Sequence, residues 1–294
     1  MRYRHKKIKK RFIGIITALI CIISTWYLGE ELYPKQEITY VTSGNLEVHY
    51  IDVGQGDATL VKCGGNAMLI DAGGNSKGTA VQKYLMDQGV NRLEYVIATH
   101  PDEDHIGGLD VILYKFDVNL VMLPDYEKDT KTYREMIQVI KDKRYHSIQP
   151  EVGETYSLGN AQFTIIAPNE AYSDANNNSI GIILQNGSNR FYLSGDAEES
   201  SINDILQNSI DIRANVYKVA HHGSAKATTP ELLQTISPDY AVLSCGEDNS
   251  YGHPHQEVLA ELAAEGVEVF RTDKQGSIVA VSDGERIEWK FEFP

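Results

Sequence analysis

The chain has 294 residues, 42% hydrophobic and 23% charged, which fits a globular protein and excludes a disordered or fibrous one. Asp and Glu outnumber Lys and Arg by 41 to 27, a net charge of −14. Such a surface repels nucleic acid and anionic membrane unless a local basic groove overrides it, and no basic run occurs after residue 11.

The charge is unevenly placed. Residues 1–29 carry seven bases (Arg2, Arg4, Lys6, Lys7, Lys9, Lys10, Arg11) and no acid, so the remaining 20 bases face all 41 acids, a net of −21. Residues 12–28 form a 17-residue uncharged stretch, just long enough to cross a bilayer. Bases before it, and Glu30 and Glu31 after it, predict a cytoplasmic N-terminus and a chain outside the cell from residue 30. A cleaved signal peptide is the rival reading, but no A-x-A site follows the apolar run, which favours an uncleaved anchor. The expected organisation is a basic cytoplasmic tail over 1–11, a single transmembrane anchor over 12–28, a stalk over 29–44 and one large domain over 45–294. Cys63 and Cys245 are either a disulfide pair or buried small hydrophobes; spacing leaves both open.

Beyond the stalk, strands and helices interleave. Strands are expected over 46–51, 58–63 and 66–70, with Gly64-Gly65-Asn66 turning the last pair. A helix follows over 79–87, then a short apolar strand over 95–99 that delivers His100 at its end. Another helix is expected over 130–141. Strands over 163–167, 180–185 and 190–193 precede a helix over 198–207. Strands over 216–220 and 240–244, a helix over 255–264, and strands over 267–271, 277–281 and 286–291 close the chain. Residues 68–73 and 192–197 echo each other: an apolar strand, then Asp with Gly, then a helix. That pattern fits two similar halves.

His100-Pro101-Asp102-Glu103-Asp104-His105 carries the chemistry. Two imidazoles and two carboxylates within six residues, at the end of a strand, can face two neighbouring cations, and both groups ligate zinc and manganese. Gly107 and Gly108 let the chain turn closely beneath them. A solvated acidic loop is the bland alternative, and it does not explain the histidines.

His-x-Asp-x-Asp-His resembles the metal-binding motif of the metallo-β-lactamase superfamily, in the variant where Asp replaces the second His. The same variant occurs in the C-terminal hydrolase domain of ComEC-type DNA-uptake proteins. Residues 52–58, 69–73, 177–179, 193–196, 220–224 and 249–255 match the ComEC-type pattern in order. The resemblance implies an α/β fold, a four-layer α/β/β/α sandwich with metals at one edge. It implies two divalent cations, Zn or Mn. His100 and Asp102 would hold one, Asp104 and His105 the other, and Asp196 would bridge them. Either His221 or His222 would complete the second site, with His221 preferred because it ends the strand. Asp71 would support the motif loop, with Asp57 and Gln55 on a Gly-flanked turn nearby. Asn178 stands where many superfamily members place another ligating His, so it would ligate weakly or orient a water. Asp104 and His253 are the candidate catalytic residues, His253 as a proton donor to the leaving group. Ser224 and Lys226 are candidates for contacting a substrate phosphate, and His255 is assigned no chemistry.

The expected activity is phosphodiester hydrolysis, with single-stranded DNA as one candidate substrate. Wall polymers, lipid head groups, choline-phosphate esters and small nucleotides are the alternative. A non-catalytic surface module is a third reading, and the ligand set weighs against it. A DNA substrate would need a positive groove, for which Lys218, Lys226, Arg271 and Lys274 are the candidates. No nucleotide cofactor is expected: Gly54-x-Gly56 lacks the third Gly and the helix of a dinucleotide fingerprint.

Overall fold

A computed structural model describes residues 45–292 of the protein. The expected tail, anchor and stalk lie outside the described residues. No helix among the described residues is long and apolar enough to cross a membrane.

The chain opens with an antiparallel meander, β1 (Leu46–Tyr50), β2 (Thr59–Cys63) and β3 (Asn66–Ile70). Helix α1 (Gly78–Asp87) then leads to β4 (Arg92–Ile97), parallel to β3. The short α2 (Glu103–Ile106) and α3 (Leu109–Lys115) precede parallel β5 (Asp117–Met122). Helix α4 (Lys131–Lys143) leads to β6 (Ser147–Ile148).

A second sheet repeats the plan. Antiparallel β7 (Thr155–Leu158), β8 (Ala161–Ala167), β9 (Gly181–Asn186) and β10 (Asn189–Leu193) come first. Helix α5 (Glu199–Gln207), β11 (Val216–Lys218), α6 (Pro230–Ile236), β12 (Tyr240–Leu243), α7 (Gln256–Ala264) and β13 (Glu268–Arg271) follow, the strands parallel to β10. After a single turn, α8 (Thr272–Gln275), the chain returns to the first sheet as β14 (Ile278–Ser282) and β15 (Ile287–Phe291), with β14 beside β1. The strand orders are β15-β14-β1-β2-β3-β4-β5-β6 and β13-β12-β11-β10-β9-β8-β7. Each half thus runs from an antiparallel hairpin into parallel βα units, as the echo between residues 68–73 and 192–197 predicts.

Alternation along the strands defines the layers. In β3, Met68 and Ile70 join a middle core with Ile182 and Leu184 of β9, on the second sheet. Ala67 and Leu69 point the other way, into a core with Val81 and Leu85 of α1, Ile112 of α3 and Met136 of α4. Ile183 of β9 likewise faces Ile202 of α5, Leu232 of α6 and Val258 of α7. Three apolar cores between four layers are the α/β/β/α arrangement expected. Cys63 lies in the middle core and Cys245 in the outer core of the second sheet, and both are free thiols, so the disulfide alternative does not form.

Candidate metal centre

Parallel strands that share a direction bring their C-terminal loops to one edge. That edge gathers Asp71 after β3, Thr99 and His100 after β4, Asp196 after β10, and His221 and His222 after β11.

Asp71 organises the first half. It adopts a left-handed φ of 58°. Its carboxylate accepts from Thr99 N at 2.8 Å and from Thr99 Oγ1 at 2.6 Å. With its proton on Nδ1, His105 donates to Asp71 Oδ2 at 2.8 Å, which leaves Nε2 directed at Asp196 Oδ1, 3.2 Å away. The turn at 54–57 packs directly beneath: Asp57 N donates to Asp104 O at 3.1 Å. A Cβ on Gly56, whose φ is +128°, would stand 2.2 Å from that same carbonyl, so only glycine fits.

The second half supplies the facing groups. His222 is buried and sets Nδ1 against the Ser244 carbonyl at 2.9 Å. Its Nε2 lies 3.3 Å from Asp104 Oδ2 and 3.6 Å from Asp196 Oδ2. His221 turns differently, with Nδ1 3.0 Å from Glu198 Oε1 and Nε2 3.7 Å from Asp196 Oδ2. His100 Nε2 is 4.0 Å from Asp196 Oδ2. Asp196 is therefore the hub, within 4.0 Å of four imidazoles.

The donor set fits divalent cations. His100 Nε2, His105 Nε2, His222 Nε2 and Asp196 Oδ1 are buried without a hydrogen bond. Orphaned buried polar atoms are costly unless something satisfies them. Four overlapping ligand groups emerge among the described residues: His100 with His105 and Asp196, Asp104 with His105 and His222, Asp57 with Asp196 and His222, and Asp57 with Asp71 and His105; Asp102 stands in none of them. Of the histidine pair, His222 stands in such a group, whereas the position at the strand end favoured His221. Both residues have left-handed backbones, φ 49° and 55°, and this tight turn swings the second ring inward.

Charge follows the same geometry. Burial alone would push His105 down, but Asp196 and Asp71 outweigh it and raise it well above the ordinary histidine range. His222 is pushed up to about 10, because Asp196, Asp104 and Asp57 together overcome its burial. Burial, with His105 adding to it, holds His100 down. Asp104 falls to about 2 despite its burial, through His222 and His105.

Asp102, Asp104, Asp196, His221, His222 and His253 line one cleft of about 100 Å³, with Gln55, Asn176 and Tyr251. Asp102 is paired with Lys128, Nζ to Oδ1 at 2.7 Å. Gln55 Oε1 accepts from Gly246 N at 3.2 Å. His253 falls to about 4, first through burial and then through His221 and His222.

Other expected residues serve differently. Asn178 spends its amide on backbone: it donates to Tyr172 O and Asp174 O at 2.8 and 2.6 Å and accepts from Tyr172 N at 3.2 Å. Asn178 does not line the cleft. Its neighbours explain the motif, since Asn177 Oδ1 accepts from Glu198 N and Ser201 N, and Ser179 Oγ accepts from Asp196 N. Ser224 and Lys226 do not line the cleft, and Ser224 is buried. The positive groove is not assembled. Lys218 is buried with Nζ 2.9 Å from both Asp57 oxygens, Arg271 is bidentate to Asp273, and Lys274 is 3.6 Å from Asp273.

Sequence reasoning missed Lys218 as the partner of Asp57, and also Glu198, Asn176, Lys128 and Tyr251. Lys218 carried a signal, a lone charge in the apolar run 216–220. The others sit in loops whose contacts no local pattern encodes.

Residues 51–247, about two thirds of the chain, match the family profile described as the metallo-beta-lactamase superfamily. The chain is 31% identical over 293 residues to ComE operon protein 3 of Bacillus subtilis, covering 92% of this chain and 37% of that protein. It is 30% identical over 222 residues to Recombination protein 2 of Haemophilus influenzae, covering 74% and 26%. Competence protein ComA of Neisseria gonorrhoeae is 26% identical over 233 residues, covering 77% and 31%. The chain spans about a quarter to two fifths of the length of these relatives. Among solved structures, YhfI of Bacillus subtilis, a metallo-beta-lactamase fold protein, superposes with a TM-score of 0.54 at 12% identity, over 81% of this chain and 100% of that one. CmlA, a diiron beta-hydroxylase from Streptomyces venezuelae, gives 0.53 at 13% identity, over 78% and 53%. At such identities the likeness is one of fold.

Proposed function

Since the chain belongs to the metallo-β-lactamase superfamily, with competence proteins among its relatives, we propose that it is a binuclear metal-dependent phosphodiesterase. The observation that carries this reading is the convergence of four orphaned donors, His100 Nε2, His105 Nε2, His222 Nε2 and Asp196 Oδ1. His100 and Asp102 would hold one cation, Asp104, His105 and His222 the other, with Asp196 between them. Two bound divalent ions, Zn or Mn, supply Lewis-acid polarisation of the phosphoryl oxygens and favour deprotonation of water near neutral pH.

The remaining work belongs to the chain. Asp71 and the Ser244 carbonyl engage Nδ1 of His105 and of His222, which turns Nε2 of each toward Asp196. Glu198 sets a carboxylate oxygen 3.0 Å from His221 Nδ1. His253, which lines the cleft beside His221 and His222, would move a proton to or from the leaving group.

The ion pairs of Lys218, Arg271 and Lys274 and the acidic composition support short diesters over long duplex-like polyanions. Turnover of bis-p-nitrophenyl phosphate and of a single-stranded oligonucleotide, with Mn or Zn across a salt series, tests both points. Hydrolysis of neither by folded, metal-loaded protein would overturn the phosphodiesterase reading. A steep loss of oligonucleotide turnover with salt would restore the extended-DNA reading, since released counterions require it. We further propose a single-pass membrane location with the hydrolase outside, on the strength of the seven N-terminal bases and the uncharged stretch after them. Protease added to cells stripped of their wall should then digest the domain, and full protection would reverse the orientation.

A further inference from the structure

One side chain on the cleft has no structural reason to be where it is. Tyr251 is 64% exposed, and with Met86 and Tyr114 it is among the large hydrophobic side chains left open on the described surface. Met86 and Tyr114 lie on the helical layer outside the first sheet, whereas Tyr251 lines the cleft that holds Asp104, Asp196 and His222.

Its ring is held in place. It stacks on His253, with centroids 5.6 Å apart and planes 22° from parallel. His253 in turn meets His221 and His255 edge-on, at 5.4 and 4.8 Å. Asn249 staples the loop: its Oδ1 accepts from Tyr251 N and His253 N, and its Nδ2 donates to Gly246 O and His253 O. An aromatic wall therefore runs from the solvent-facing rim to the imidazole cluster. Packing does not require the outermost ring, since one of its faces is covered and the rest is open to solvent. Asp102, on the same cleft, is paired with Lys128.

We propose that Tyr251 is a stacking platform that selects phosphodiesters carrying a flat aromatic ring, a nucleobase above all, over aliphatic diesters. The ring would lie on Tyr251 while the phosphate faces Asp196 and the imidazoles. Such stacking tolerates any base, because every base has a flat π-face to offer. Diesters of glycerol or other aliphatic alcohols gain nothing from it. This inference rests on the phosphodiesterase reading for its reaction, but not for its binding step.

The test uses the full-length, Mn-loaded protein and two phosphate ligands, thymidylate and glycerol phosphate, measured by titration calorimetry. Wild-type protein should bind thymidylate more tightly. Tyr251→Ala should weaken thymidylate by about 10- to 100-fold and leave glycerol phosphate within about 2-fold. Tyr251→Trp should keep the preference, and metal content should match in all three proteins. Equal affinity for the two ligands in the wild type, binding of neither, or an equal loss of both in Tyr251→Ala overturns the inference. Discrimination between the ligands without hydrolysis of any diester would leave the platform standing and remove the phosphodiesterase reading alone.

Discussion

Two regions of the first sheet bury a histidine beside a carboxylate and treat it in opposite ways. On β1, His49 places Nδ1 3.0 Å from Tyr84 Oη and Nε2 3.4 Å from Glu47 Oε2, so both nitrogens have partners. Burial dominates there and pushes it down to about 4. At the strand C-termini, His105 has one nitrogen on Asp71 and the other without a hydrogen bond, and two carboxylates push it up. The cleft beside Glu47 is also the larger, about 450 Å³ against about 100 Å³. Yet its charges are paired with one another, Lys62 with Glu47 at 2.9 Å and Arg92 with Glu94 at 3.4 Å. Burial and volume do not mark chemistry here; several unsatisfied atoms aimed at one point do.

The largest effect should come from removing the hub. Asp196→Ala should lower metal affinity by more than the roughly 10–100-fold typical of a lost outer partner and reduce turnover to background. His49→Gln should leave metal content unchanged. Metal analysis after dialysis checks both, and a fully metal-loaded, active Asp196→Ala protein would remove the site. Next in size is Lys218→Met, which strands buried Asp57 without its cation. Breaking a buried pair on one side costs about 3–5 kcal/mol, read by denaturant unfolding. A cost under about 1 kcal/mol would mean that water reaches Asp57 and that the pair is not structural.

The motif loop was legible because its chemistry is local: His100, Asp102, Asp104 and His105 lie within six residues on one turn. Strands with clear alternation or glycine turns, such as Asn66–Ile70, were legible to the residue. Helix α6 and strands β5, β6 and β7 have no counterpart among the expected elements, nor do the single turns α2 and α8. In β5, Val118 and Val121 face the helices while Leu120 and Met122 face the other sheet, so a two-sided strand shows no clean alternation. The choice between His221 and His222 was hidden for another reason. It depends on left-handed backbone at two non-glycine residues, which tertiary contacts impose and composition does not reveal. Around Asn178, the side chains of Asn177 and Ser179 brace the loop that presents Asp196 and Glu198, a role that local pattern does not encode.

The comparison sharpens with pH. His49 titrates at about 4 in the folded protein, against 6.5 for an unperturbed histidine. Below the higher value the unfolded chain takes up a proton that the folded chain refuses. Its contribution is therefore complete above pH 6.5 and is lost as pH falls toward 4. One proton corresponds to about 1.4 kcal/mol per pH unit, so the full loss is up to about 3 kcal/mol. Unfolding free energies at pH 7, 6, 5 and 4 should fall more steeply for the wild type than for His49→Gln. Parallel curves would show that His49 takes up its proton as readily in the fold as in the unfolded chain, with Glu47 offsetting its burial.

The smallest effect expected is also the most diagnostic. Asp71 and Glu47 each face a buried histidine, but only Asp71 also ties down the strand end, through Thr99 N and Thr99 Oγ1. Asparagine is the clean probe, because it tolerates the left-handed φ of 58° that Asp71 adopts. The amide introduced by Asp71→Asn has a single acceptor oxygen, so the variant keeps either the bond from Thr99 N or those from Thr99 Oγ1 and His105, and not all three. A neutral acceptor also leaves His105 Nε2 less basic. Asp71→Asn should therefore weaken metal binding by about 10–100-fold, with the melting temperature of the metal-free protein within a few degrees of the wild type. Glu47→Gln should change metal affinity by less than about 2-fold, since His49 has no free nitrogen to offer and any cost falls within the few tenths typical of a surface pair. Equal metal affinity in Asp71→Asn and wild-type protein would mean that Asp71 only closes the strand end, and that His105 keeps its orientation through packing between His100 and His222.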